Sequence, residues 1–554
     1  MTTNSTSTES RKARGDWRDG LPESIVRNGL PEARAIRFDS RDVEAGDVFV
    51  CVVGGQADGH AYAAQAVQRG AVALVAQAGH AGDPAVWSAL GVPVVEVPNS
   101  RITLARISAA HEGYPAQSLT VIGVTGTDGK STTSFLILAA LEACGITAGL
   151  LTTIESRIAG RVIPNPTRLT SQEAPFVQRM LAEMVEAGCT HAVIESTSIG
   201  LDLHRVDACA FDVAVFTNLT SDHLDYHKTM EHYRSSKGRL FEMLDEARPE
   251  KAKRVRRAAV VNRDDPAWKY FAARTKSRVV TYAVEDDEAD VHVEGLMLWP
   301  DGATFALVAD SDDESVEASI QLPGAYNVAN ATAALTVAAA LRLPVEAAAA
   351  GIAACKGVPG RMERIEGAPV DVIVDYAHTG AALRKASEAL RPVIEGRLIA
   401  VFGCAGERAR ERRSGLGSVA AELIDLSILT DEDPRSEPSE AIIDEIAQAM
   451  IAAGAVEGAS EGHGFERIAD RRAAIARALE VAQPGDLVLI AGKGHESTIE
   501  YADGPQPWDD RAVAREEITK RFGAPVAKPP MPVLLDDDDD IDEFEDDDDT
   551  EGDE

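Results

Sequence analysis

The sequence predicts an α/β protein of three domains: a small N-terminal α/β unit, a central parallel-sheet domain that opens P-loop-like with strand, glycine loop and helix, and a C-terminal Rossmann-like domain. Three observations predict it. A chain of 554 residues exceeds what one ordinary hydrophobic core supports. Apolar runs of strand length repeatedly break into Gly-, Asp- or His-bearing loops followed by helical patterns, the alternation of parallel α/β sheets. The same alternation restarts after a linker near residue 356, which implies a second doubly wound sheet.

Composition bounds the function. Apolar residues make up 45% and charged residues 26% of the chain, values of a globular protein with a sizeable interior. No run of eighteen apolar residues occurs, and the start, MTTNSTSTESRKARGD, has no signal-peptide core, so a cytoplasmic protein without membrane insertion is expected. Six scattered cysteines with no CxxC pair read as reduced structural thiols. Of the net charge of −35, fifteen negative charges fall in residues 536–554, so the remainder carries −20. That acidic body disfavours nucleic acid as a partner, because phosphate neutralisation needs a basic surface.

Residues 1–24 are predicted to be disordered. The N-terminal domain is assigned to 25–117, where Ala35 to Gly54 reads as two short strands around a Gly-Asp turn, Tyr62 to Arg69 as a helix and Ala71 to Gln77 as a strand. The central domain is assigned to 118–355. Its strand Leu119 to Gly126 feeds a helix from Thr132 to Cys144, and the apolar runs His191 to Ser196 and Val213 to Asn218 end in polar residues where open parallel sheets carry their chemistry. The C-terminal domain, 356–524, contains VDVIVDYAHT, LIAVFGCAG, LSILTDEDP and DLVLIAGKGHE, each a strand running into a loop. Residues 525–554, Pro-rich and then acidic, cannot bury enough apolar surface to order; a solubilising tail is expected, a cation- or partner-binding arm being the alternative.

The strongest local signal is GVTGTDGKSTT, Gly123 to Thr133. Gly126, Thr127, Asp128 and Gly129 form a loop that lets backbone approach phosphates, Lys130 supplies a point charge, and Ser131 or Thr132 offers a hydroxyl to magnesium. Val124 occupies the position where the general phosphate-loop pattern has Gly, so this is a variant of it.

This version of the loop resembles that of the Mur ligase family, and further motifs follow in that family's order. VIESTSIGLDLHR carries Glu195, FTNLTSDHLDYHKTMEHYRSSKGRLF carries His223 and Lys237, GAYNVANATAAL carries Asn327 and Asn330, VPGRME carries Arg361, and DYAHT carries Asp375, Tyr376 and His378. The resemblance implies a three-domain ATP- and Mg2+-dependent ligase acting as a monomer. Lys130, Glu195, His223 and Lys237 would be catalytic, with Ser131, Glu195 and His223 on the metal and Lys237 carbamylated to N6-carboxylysine. Asn327, Asn330, Arg361, Asp375 and His378 would complete the ATP site.

FDSRDVEAGDVFV and ADGHAY are similar to the UDP-binding domain of the family branch that adds a diamino acid as the third peptide residue. That branch implies Ser40, Arg41, Thr170, Ser171, Thr197 and Arg205 as contacts to a UDP-N-acetylmuramoyl dipeptide. It implies Arg408, Asp433, Arg435, Gly492 and Glu496 as contacts to the diamino acid: meso-diaminopimelate, L-lysine or L-ornithine. Arginines hold carboxylates in a fork, while Asp433 and Glu496 can bind an ammonium group. Departures from the family pattern are Asp128 where Asn is usual, Ile199 for His, Leu203 for Gln, and DEDPR for DNPR. Alternatives at this point are another Mur-type or polyglutamate ligase and a non-catalytic nucleotide-binding relative.

Overall fold

The computed structural model describes residues 14–523, apart from 55–56, 81–86, 166–170, 247–254, 300, 310–314, 409 and 459–462. The acidic tail and Thr170 lie outside the described residues.

Strands β1 (Ile36–Arg37), β2 (Val48–Val50), β3 (Ala73–Gln77) and β4 (Val94–Val97) pair in that order, all parallel. β1 and β2 are therefore not the two arms of a hairpin: a 3₁₀ turn at Ser40–Asp42 lies in the connection between them. The unit begins earlier than residue 25. Trp17 and Leu21, 1% and 3% exposed, join Ile36, Val48 and Val50 in its core, and the Trp17 indole N–H donates to the Pro31 carbonyl at 3.0 Å. A single aromatic in a polar, arginine-rich stretch gives no periodicity to read, so its burial was invisible in the pattern. Helix α1 (Ala63–Gln68) links β2 and β3, and α2 (Ser100–His111) leads out of the unit.

Among the described residues the central sheet has eleven strands. Its parallel heart is β6 (Ala148–Leu151), β9 (His191–Glu195), β5 (Thr120–Thr125), β10 (Val213–Phe216), β11 (Ala258–Asn262) and β12 (Arg278–Tyr282), side by side. Antiparallel pairing extends both edges: β7 (Glu155–Ile158) and β8 (Arg161–Pro164) on one side, and on the other β14 (Gly302–Ala309) and β15 (Val316–Ile320) beyond β13 (Val291–Trp299), which itself still pairs parallel with β12. Every residue of β5, β10 and β11 is buried, as strands covered by helices on both faces must be. Helix α3 (Lys130–Ala143) follows β5. After it come α4 (Ala174–Glu186), α5 (Ser198–Asp202), α6 (Leu224–His227), α7 (Met230–Glu242) and α8 (Trp268–Ala272). α3 packs on α9 (Ala325–Ala340) and α10 (Val345–Ala353), and all three are rich in Ala. Because β5 lies between β9 and β10, the loops after these three strands open at one edge, the topological switch point where such sheets bind ligands.

In the C-terminal sheet β16 (Glu363–Arg364) pairs antiparallel with β17 (Asp371–Asp375). β22 (Leu487–Ala491), β18 (Leu398–Phe402), β19 (Leu426–Leu429), β21 (Gly464–Arg467) and β20 (Val456–Glu457) follow in parallel. Helix α11 (Gly380–Leu390) follows β17. No helix among the described residues is long and apolar enough to cross a membrane, and none of the six cysteines forms a disulfide.

Candidate active site

The register aligns Val124 with Glu195 and Thr125 with Phe216, so the phosphate loop, Glu195 and the Thr217–Asn218 turn emerge together. The loop is clamped from β10. The Thr217 hydroxyl donates to the Asp128 carbonyl at 2.7 Å, Asn218 Oδ1 accepts the Asp128 N–H at 3.0 Å, and the Thr127 N–H donates to the Asn218 carbonyl at 2.8 Å. The clamp needs Gly126: a Cβ there would stand 1.8 Å from Thr217 Oγ1. Gly129, at φ +78°, turns the chain into α3, and a Cβ on it would stand 2.3 Å from Asn330 Oδ1.

Lys130 Nζ donates to the Thr127 carbonyl at 2.7 Å, folded back across the loop. The Ser131 hydroxyl donates to Glu195 Oε2 at 2.9 Å, with both residues buried. The same oxygen accepts the Thr153 N–H and hydroxyl at 3.1 and 3.2 Å, which fixes the carboxylate beside the loop. This pair of oxygen-bearing side chains matches the hard ligands that magnesium takes.

Lys237 lies on α7, 1% exposed, its Nζ donating to the Gly126 carbonyl and sitting 4.3 Å from the Tyr233 ring centroid. Burial, reinforced by the charge of Lys130, holds its ammonium well below the usual lysine range. A lysine that deprotonates readily is the form that can react with carbon dioxide. The absence of a side chain at Gly123 permits this closeness, since a Cβ there would meet Leu240 of the same helix at 2.7 Å.

His223 sits at φ +51° at the head of α6, its Nε2 3.3 Å from Asp222. Its ring lies 6.5 Å from that of Tyr233, whose hydroxyl is 3.1 Å from Thr127 Oγ1. Burial lowers its basicity and Asp222 opposes the shift.

Asn327 and Asn330 stand behind the loop. Asn330 accepts from Thr133 at 3.1 Å and donates to Asn327 at 3.0 Å, while Asn327 donates to the Pro323 carbonyl at 2.8 Å. Their visible work is to brace Gly129. From the C-terminal domain, Asp375 accepts the N–H groups of Met362 and Ala377, both at 2.8 Å, pinning the interdomain linker to β17. The linker then holds the Arg361 guanidinium 4.4 Å from the Tyr376 ring centroid. His378 Nδ1 lies 2.9 Å from the Tyr376 carbonyl, so that nitrogen carries the proton and Nε2 is the basic one.

Of the expected substrate contacts, Ser171, Thr197 and Arg205 converge. Ser171 Oγ is 3.0 Å from Thr197 Oγ1, and Arg205 donates to the Ser171 carbonyl at 3.0 Å while pairing with Glu173. Arg101 of α2 reaches the same Glu173 at 3.6 Å, so the N-terminal unit touches this corner. Ser40 and Arg41 separate: the Ser40 hydroxyl turns inward to Gln65 at 2.9 Å, whereas Arg41 is 82% exposed and pairs with Asp39.

In the C-terminal domain the ammonium held by Asp433 and Glu496 is the chain's own. Lys493, 0% exposed, lies 2.7 Å from Asp433 and 2.5 Å from Glu496, and Tyr376 donates to Glu496 at 3.3 Å. The two carboxylates expected to meet a ligand's ammonium group thus share an internal cation in this structure. Beside them Glu432 is buried, which pushes its carboxyl up to about 8 against the pull of Lys493. Gly492, at φ +111°, lets the chain pass Glu432. Arg435, at φ +56°, lines a pocket of about 420 Å³ with Glu407, Ser436, Glu500, Tyr501 and Ala502. Arg408 is exposed one residue beyond Glu407.

The residues missed in the sequence are Thr217, Asn218, Thr153 and Lys493. Their signal was position alone, a polar residue at the end of an apolar strand or, for Thr153, just beyond one. Lys493 was in plain view inside AGKGHE.

Comparison with known proteins agrees with this geometry. Residues 32–112 match the Mur ligase family catalytic domain, 124–338 the Mur ligase middle domain and 360–494 the Mur ligase glutamate ligase domain. A UDP-N-acetylmuramyl-tripeptide synthetase of Roseiflexus sp. (strain RS-1) is 46% identical over 88% of this chain and 95% of its own. A UDP-N-acetylmuramoyl-L-alanyl-D-glutamate--2,6-diaminopimelate ligase of Gloeobacter violaceus is 41% identical over 90% and 98%. A solved structure of a ligase with the latter name superposes with a TM-score of 0.62 at 30% identity, covering 91% of this chain and 99% of that one. With its three domains matched in order and its phosphate loop, Glu195 and Lys237 assembled at one sheet edge, the chain belongs to the Mur ligase family of ATP-dependent amide-forming ligases.

Proposed function

We propose that this ligase adds a diamino acid, meso-diaminopimelate first among the candidates, to UDP-N-acetylmuramoyl-L-alanyl-D-glutamate in peptidoglycan precursor synthesis. It acts in the cytoplasm as a monomer. The observation that carries the reading is the convergence of Lys130, Ser131, Glu195 and Lys237 at the ends of β5 and β9, in a chain whose C-terminal domain holds a pocket of mixed charge.

ATP binds along Gly126 to Thr132, its phosphates facing the N–H groups at the start of α3 and Lys130. Ser131, Glu195 and His223 would hold magnesium, joined by Lys237 once a carbamate has turned that cation into an anionic ligand. When bound, the ion neutralises charge on the transferring phosphoryl group. The D-glutamyl carboxylate attacks the γ-phosphorus and ADP leaves, giving an acyl phosphate. The amine then attacks the acyl carbon and phosphate leaves as the amide forms. Ser171, Thr197 and Arg205 orient the carboxylate-bearing substrate, and apposition of the C-terminal domain keeps water from the acyl phosphate. The pocket suits an amino acid zwitterion, Arg435 attracting carboxylate and Glu407 and Glu500 attracting ammonium, with exposed Arg408 next to Glu407 in the chain as a second candidate for the carboxylate.

The test is phosphate release with ATP, magnesium and the UDP-linked dipeptide, run separately with meso-diaminopimelate, L-lysine and L-ornithine. Release with one of them identifies the amino acid, and release with none overturns the substrate assignment. Lys130→Ala should abolish turnover, because the developing phosphoryl charge loses its protein cation. ADP formation at the wild-type rate would refute the loop assignment.

A further inference from the structure

The phosphate loop contains an acid. Asp128 lies two residues before Lys130, in a segment whose work is to attract a triphosphate, and a carboxylate there repels that ligand. Its backbone is fixed in the loop, the N–H and carbonyl being tied to Asn218 and Thr217. Its side chain instead meets Lys385, a residue 257 positions later on α11 of the C-terminal domain, whose Nζ pairs with Asp128 Oδ2. α11 is held in register with the site by its own start. Thr379, the last residue of DYAHT, caps it, accepting the Ala382 N–H at 3.2 Å. The helix also abuts the central domain at Gly324, where a Cβ would come 2.9 Å from that of Ala389. The other cations acting on Asp128 are Lys130 and Arg361, both themselves available to phosphate, and Lys385 is the largest of the three influences that hold this carboxyl below its usual range.

We propose that Lys385 is a positioning residue that neutralises Asp128 when the C-terminal domain docks, so that the loop's affinity for ATP depends on domain closure. This rests on the reading that Gly126 to Thr132 holds the phosphates of ATP. By linkage, ATP favours the docked arrangement by the same factor by which docking favours ATP. The loop is thereby weak for nucleotide while the domains are apart and strong when the amino-acid-binding domain is in place.

The experiment is a double-mutant cycle in the full chain, with KM for ATP, kcat and calorimetric ATP affinity measured for Lys385→Met, Asp128→Asn and the double variant. Both side chains are about half exposed, so the substitutions leave the core untouched. Lys385→Met is expected to raise KM for ATP roughly threefold to fivefold, the size of an exposed charge pair, with kcat changed less. Asp128→Asn should remove the need for Lys385, so the double variant matches Asp128→Asn alone. An unchanged KM in Lys385→Met overturns the proposal. So does an equal rise when Lys385→Met is made in the wild type and in the Asp128→Asn variant, which would mean that Lys385 acts on ATP or on the fold directly. Failure of the parent reading looks different: Lys130→Ala would bind ATP as the wild type does.

Discussion

Replacing Gly129 with Ala tests whether the loop is shaped by its backbone. The added methyl would occupy a left-handed conformation at φ +78° and stand 2.3 Å from Asn330 Oδ1. The first effect costs about 1–2 kcal/mol. The second displaces Asn330, which is 5% exposed and bonded to both Thr133 and Asn327. Losing those two bonds adds about 1–3 kcal/mol, so the total is about 2–5 kcal/mol. The loop can avoid that cost only by moving the Gly129 backbone, which moves the N–H groups facing phosphate. Urea unfolding should therefore register the destabilisation, and calorimetric titration should find ATP binding weakened by about tenfold or more. In an Asn330→Ala background the same substitution should cost about 1–3 kcal/mol less, because only the backbone strain remains. Stability within about 0.5 kcal/mol of wild type with unchanged ATP affinity would refute the reasoning, as would an equal cost in both backgrounds.

Lys237→Met should abolish turnover while flattening the dependence of melting temperature on pH. A lysine whose folded pKa is depressed contributes full stability above its ordinary value of 10.5 and loses it as pH falls through the depressed folded value, so the wild type, kept free of carbon dioxide, weakens on acidification where the variant does not. Glu432 has the opposite sign: raised from 4.5 to about 8, it contributes full stability below 4.5 and loses it as pH rises through about 8. Glu432→Gln should therefore gain on wild type by about 2–4 kcal/mol between pH 5 and pH 8 in urea unfolding; a constant difference across that range would count against the assignment. Lys493→Met should destabilise the C-terminal domain by about 3–5 kcal/mol, since Asp433 and Glu496 lose the buried cation between them. A melting temperature equal to wild type would sink it.

What the sequence disclosed and what it withheld divide along one physical line. The loop from Gly126 to Thr132 was legible because its chemistry is local: glycines at a strand end, a lysine at a helix start. Glu195 and Lys237 were legible by resemblance, and the alternation of strands and helices gave the two large sheets. The antiparallel edge β7–β8 escaped because its tight turn uses Ala159 at φ +48° before Gly160, where the expected residue for that conformation is Asn, Asp or Gly. Charge partnerships over long separations escaped for a deeper reason. Asp433 reads as an unpaired carboxylate until Lys493, 60 residues on, is seen to donate to it. Arg413, in the same arginine-rich stretch as Arg408, reads as one more surface arginine until its 1% exposure and its pairing with Glu437 and Glu445 make it structural. A motif states which charges a site has, and only the fold states which of them are already paired within the chain. In a ligase that must bind a triphosphate, a carboxylate and a zwitterion together, that second fact decides specificity.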